Sequence, residues 1–151
     1  MLPFSWSGRV ALPPTAGQDP ESVIGRIATA LGELRARAVQ REPGAVVFEG
    51  GLFRFALSWN LLGPIGWGRV EAAPGAGGLE VHYRINFVEV VTAATVLVGF
   101  MAFVILSSTG PDAGPVRYVI PVVMWLWFVG GNIAITLVRF PAFIRRVGAS
   151  A

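Results

Sequence analysis

Two uninterrupted apolar runs constrain this chain more than anything else in it. Residues 88–106 hold 19 positions with Glu89 as the sole charge, and residues 118–138 hold 21 positions with none. At about 1.5 Å of rise per residue, each run as a helix matches a hydrocarbon core of about 30 Å. Each contains eleven Val, Leu, Ile or Phe residues. At about −0.3 to −0.6 kcal/mol apiece they favour insertion by roughly 3 to 7 kcal/mol, before polar residues and glycines are set against them. A helical pair inside a soluble core would need a polar outward face, and neither run supplies one. The expectation is a transmembrane hairpin: a first helix over 88–106, a short non-cytoplasmic loop over 107–117, a second helix over 118–138 and a basic cytoplasmic tail over 139–151.

The charge that the chain does carry lies mostly ahead of these runs. Residues 1–87 hold eight Arg against seven acids (8 − 7 = +1), and the remainder holds four Arg against two acids (4 − 2 = +2). The high pI of 10.6 therefore comes from scattered arginines and not from the dense basic stripe that nucleic acid requires, so no nucleic-acid partner is expected. The overall charged fraction of 14% is well under the roughly one quarter usual in soluble domains. Absence of Cys removes disulfides, thiolate catalysis and Cys-based metal sites. Residues 1–17 contain no apolar run of seven or more after a charged start, so no cleavable signal is expected. Arg69 and Arg84 precede the first run and Arg139, Arg145 and Arg146 follow the second, whereas residues 107–116 carry only Asp112, with Arg117 just beyond. By the positive-inside rule both termini face the cytoplasm, in what is expected to be a bacterial inner membrane.

The leading 87 residues read as a cytoplasmic α+β domain. Phe4, Trp6, Val10 and Leu12 alternate with Ser5, Ser7, Arg9 and Ala11 in a half-buried strand. Asp19 and Pro20 then form an N-cap and first helical position, and Val23, Ile24, Ile27, Ala28, Leu31, Leu34 and Ala38 recur at helical spacing to about Arg41. Past Pro43 and Gly44 the period falls to two. Strands are expected over 45–49, 52–60, 67–73 and 80–87, with Gly50 and Gly51 turning the first hairpin at positive φ. Phe53, Phe55 and Leu57, with Val81, Tyr83 and Ile85, are the expected inward residues. The fold expected is a small antiparallel sheet of about five strands, in order β-α-β-β-β-β, covered by one amphipathic helix. The first strand can dock at either edge.

Few residues suggest chemistry. His82 shares a polar strand face with Glu80 and Arg84, and a His beside a carboxylate can serve as a general base, although a solvent-facing strand histidine is the simpler reading. The glycine-rich stretch 63–68 lacks the Lys and Ser/Thr of a phosphate loop, and a plain turn accounts for it. Leu61, Leu62, Ile65 and Trp67, beside Trp59, gather apolar bulk around that turn and suggest an interfacial loop, against simple burial. In the apolar runs, Thr92, Thr95 and Gly99 lie along one side of the first helix. Gly130 and Ala134 make a small-xxx-small step in the second, and Asn132, Thr136 and Arg139 form a polar stripe. Glu89 and Arg139 are expected to meet at the cytoplasmic boundary. These residues read as helix-packing or partner-binding positions.

No catalytic, cofactor or metal site is expected, and neither is enzyme activity. The sequence favours a membrane-anchored accessory or assembly subunit, with the bilayer and either a membrane-protein partner or a second copy as its contacts. The alternatives are an oligomeric transporter or channel built on the Asn132 stripe and, further off, a lipid-headgroup enzyme using His82.

Overall fold

The computed structural model describes residues 4–13, 19–51, 61–75, 77–108 and 114–149. Its elements are β1 (Ser5–Leu12), α1 (Pro20–Glu33), β2 (Arg37–Glu42), β3 (Ala45–Glu49), β4 (Trp67–Gly75), β5 (Gly78–Asn86), α2 (Val88–Ser108) and α3 (Val116–Ala149). All neighbouring strands are antiparallel, in the order β1-β5-β4-β3-β2. The α+β class and the strand formula agree with the sequence. β1 takes the β5 edge, in register from Ser5 opposite Asn86 to Leu12 opposite Leu79.

Two strand assignments are corrected. The first helix ends at Glu33, not near Arg41, and a strand begins at Arg37. Arg35 turns left-handed at φ 60°, its N–H donates to Gly32 O at 2.8 Å, and the Ala36 N–H reaches back to Leu31 O at 2.9 Å. This is a Schellman closure with arginine where glycine is usual. Immediately afterwards Ala38, at φ 46°, lies where the β2–β3 register shifts, so a bulge breaks the alternation that would have marked a strand.

The first hairpin turns at Pro43 and Gly44 and not at Gly50 and Gly51, with Gly44 at φ +68° and Glu42 opposite Ala45. Gly50 does not adopt positive φ. It donates from its N–H to Gly66 O at 2.9 Å, and a Cβ there would stand 1.7 Å from the Ile65 carbonyl oxygen. Close backbone approach, not a turn, requires that glycine. The expected strand 52–60, with Phe53, Phe55, Leu57 and Trp59, lies outside the described residues, and β3 pairs directly with β4.

One face of the sheet is polar and open. The other carries Val10, Leu12, Val46, Phe48, Val70, Val81, Tyr83 and Ile85 into the core. α1 covers it with Val23, Ile24, Ile27 and Leu31, and beside α1 lies the last part of α3. Burying each such aliphatic side chain contributes about 1.5 to 3 kcal/mol. α1 starts at Pro20 as expected, although the Asp19 side chain makes no capping bond and Ser22 Oγ donates to the Asp19 carbonyl instead.

α2 and α3 are both long and apolar enough to cross a membrane, at 21 and 34 residues. α3 is helical throughout, with a π-helical turn at Trp127–Gly131. It does not stop near residue 138. Residues 139–149, read from sequence as a tail, continue the helix onto the sheet, where Phe140 and Ile144 are fully buried.

Candidate functional site at the helix–sheet junction

The place where the two apolar helices meet the sheet is built from three joints. The first is Asn86, 3% exposed at the end of β5. Its Oδ1 accepts the Val88 N–H at 2.8 Å, and its carbonyl accepts the Gly66 N–H at 2.9 Å. The first N–H groups of a helix have no intrahelical partner, so Asn86 ties the start of α2 to the sheet and to the 61–66 segment.

The second joint is aromatic. Gly8 on β1 faces Tyr83 on β5, and Gly68 on β4 faces Phe48 on β3. Each side chain lies across its glycine, so closely that a Cβ would meet the Tyr83 hydroxyl or the Phe48 ring at 2.4 Å. Phe140 of α3 seats against both rings, 6.1 Å from Phe48 in a stacked arrangement and 5.3 Å from Tyr83 edge-on. Such pairs add about 0.5 to 1.5 kcal/mol each beyond area burial. Burial raises the Tyr83 pKa above its ordinary value, partly opposed by a hydrogen bond from Trp6 and by the charge of Arg145. At the far end of α3, Arg26 Nη2 of α1 donates to the Gly148 carbonyl at 3.3 Å, a cation placed at the negative end of a helix dipole.

The third joint links the two apolar helices. Val90, Val91, Ala94 and Val98 form the buried side of α2, with Val129 buried and Trp125 and Phe128 partly buried on α3. Trp125 Nε1 donates to Thr95 Oγ1 at 2.9 Å, while Thr95 Oγ1 donates to Val91 O at 2.7 Å.

Of the residues singled out in the sequence, Thr95 thus joins α2 to α3. Thr92 and Gly99 are exposed on α2, as is Ala134 on α3, and a Cβ at Gly99 or Gly130 would meet nothing within 4 Å. Asn132 Nδ2 donates to Phe128 O at 2.6 Å, and Thr136 Oγ1 donates to Asn132 O at 2.8 Å. A π turn disturbs the regular carbonyl pairing of a helix, and both polar side chains serve that local backbone. Glu89 lies over Gly66, where a Cβ would meet its Cγ at 2.9 Å, and Arg139 is exposed on α3. The ion pairs among the described residues join Arg69 to Glu42 and Glu71 and His82 to Glu80, so Glu89 and Arg139 do not pair with each other.

Around the 63–68 turn, Leu62 and Ile65 are core residues at 2% and 1% exposure, leaving Leu61 and Trp67 half-buried. Burial accounts for most of the apolar bulk that suggested an interfacial loop. His82 is exposed on the open sheet face, 3.3 Å from Glu80, a geometry without burial or enclosure. Among the described residues no group of three or more His, Asp or Glu is arranged to hold a metal ion.

The residues that sequence reasoning missed are Asn86, Trp125, Phe140 and Ile144. Asn86 is a capping-type residue two positions before an apolar run. Phe140, Phe143, Ile144 and Val147 recur at helical spacing through the expected tail. No protein-family model, curated protein or solved structure matches this chain.

Proposed function

We propose that this protein is a non-enzymatic, two-span membrane-anchored module acting as an accessory or assembly subunit of a larger membrane complex. The supporting observation is where apolar surface is exposed. Among the described residues, every exposed large hydrophobic side chain except Phe4 and Trp6 lies on α2 or α3, including Val96, Phe100, Phe103, Val119, Val123, Trp127 and Val138. Contiguous apolar surface of this extent marks a membrane or protein interface, and its length on each helix suits a bilayer. The α2–α3 contact occupies one side of each helix, so the remaining circumference is free for lipid and for partner helices. Two helices with one Asn do not enclose a pathway. The conspicuous polar residues of α3 bond to its own backbone, which favours an accessory role over a conducting one.

The arginine distribution places the sheet domain and both termini in the cytoplasm in this reading. The chain has no native Cys, so single cysteines at Ser7 and Ser108 report topology cleanly. The expected result is labelling of Ser7→Cys from the cytoplasmic side only and of Ser108→Cys from the opposite side only. Labelling of both from one side would refute the hairpin. Purification in mild detergent is expected to bring down a defined membrane-protein partner. A discrete homo-oligomer with no partner would favour the oligomeric alternative.

A further inference from the structure

Phe4 and Trp6 are the two exceptions to the pattern just described, exposed by 53% and 51%. Both lie at one place. The Phe87 N–H donates to the Phe4 carbonyl at 2.9 Å, and α2 begins at the next residue, Val88. Trp6 stands opposite Ile85 on β5. On the other face of the sheet, half-buried Trp67 pairs with Asn86, which also pairs with Ser5. The sheet therefore carries aromatic side chains on both faces at the end where the chain passes into α2, joined there by Val88, itself 37% exposed.

We infer that Phe4, Trp6 and Trp67 form an aromatic collar that rests in the headgroup region of the bilayer and holds the sheet domain directly against the membrane surface. The inference rests on the spanning reading of α2 and α3. Given that reading, continuity of the chain fixes the occupant: one residue separates β5 from α2, so this end of the sheet has no linker to lift it away from lipid. Aromatic rings with one polar end favour the membrane–water boundary. Trp6 has this character, with a hydrogen bond from its side chain to Tyr83 and about half its surface open. Ser7 and Arg9, on the same strand but the opposite face, are exposed polar residues that would stay in water.

The test is a set of single-cysteine variants carrying a spin label, with the full chain reconstituted in phospholipid vesicles. Collision with oxygen, which concentrates in lipid, is compared with collision with a water-soluble nickel complex. Phe4→Cys and Trp6→Cys are expected to give oxygen-to-nickel ratios several-fold above Ser7→Cys and below Phe100→Cys in α2. Phe4→Cys keeps the test valid should loss of the Trp6–Tyr83 bond disturb the sheet. Ratios at positions 4 and 6 equal to that at position 7 overturn the collar while leaving the spans intact. Labels at 4 and 6 shielded from both reagents, with Phe100→Cys still lipid-accessible, overturn it in favour of a protein covering that end. A nickel-exposed label at Phe100 removes the spanning reading and the collar together.

Discussion

The sheet domain and the two long helices use the same apolar residue types in opposite ways. In the sheet, Val46, Val70, Val81 and Ile85 point inward and are buried, with arginine and glutamate on the reverse face. On α2 and α3, Val96, Phe103, Val122 and Val138 point outward and only one side of each helix is covered. Apolar content alone therefore does not define an interior. In the sheet, period-two alternation separates two environments; in the helices, apolar residues run around most of the circumference, the pattern a helix suited to a membrane carries.

The largest test of this contrast is at the residue that belongs to both regions. Phe140 lies on α3 yet is fully buried among Phe48 and Tyr83. Phe140→Ala should destabilise the sheet domain by about 3 to 5 kcal/mol, read as a lowered urea midpoint of the domain in detergent micelles. A loss below about 1 kcal/mol would mean that the two regions are not energetically joined. Next, Phe100 is 66% exposed near the middle of α2. Phe100→Arg should cost about 2.5 to 3.5 kcal/mol in a membrane-insertion assay while leaving the urea midpoint of the sheet domain in place. An unchanged insertion level would place that face outside lipid.

Smaller effects follow at the joints. Asn86→Ala removes the acceptor for the Val88 N–H and should lower stability by about 0.5 to 2 kcal/mol, with exchange protection lost first at the start of α2. Tyr83 gives the smallest and most conditional effect. Its pKa is raised by burial, so the folded state holds the neutral phenol more tightly than the unfolded chain does. The stabilisation is complete below the unfolded tyrosine value of about 10 and is lost as pH rises through the higher folded value. Tyr83→Phe should therefore flatten the decline in stability above about pH 10 without changing the neutral-pH plateau in slope. An unaltered alkaline limb would show that another group governs it.

How far the fold could be read in the sequence differed from element to element for physical reasons. β1 and β5 were legible because each keeps strict alternation against a single buried face. β2 was hidden twice over, since Arg35 closes α1 without the glycine that signals an end and the bulge at Ala38 destroys the period. Gly50 looked like turn chemistry because a glycine demanded by close packing and one demanded by positive φ are the same letter. At the junction, Thr95 was legible as a helix-packing residue, whereas its partner Trp125 depends on a pairing that no local pattern encodes. The buried end of α3 was masked by Pro141, which reads as a helix break, and by the surrounding arginines. Asn132 stood out as polar, but its acceptor, the Phe128 carbonyl, belongs to the π turn at Trp127–Gly131, which no local pattern marks.

That turn sets the rotational phase of the molecule. A π turn carries one more residue than an α turn, and each residue advances a helix by about 100°. Relative to an unbroken α-helix of the same residues, Phe140 and Ile144 after Gly131 are thus rotated by about one residue, 100°, with respect to the side of α3 exposed before Trp127. If the same residues closed as regular α turns with none deleted, Phe140 would swing about 100° away from its seat relative to the preceding half, whereas deleting one residue as the turn reverts to α would keep it there. The π turn therefore works as a fixed coupling angle, setting the azimuth at which the sheet is carried relative to the side of the hairpin that faces outward.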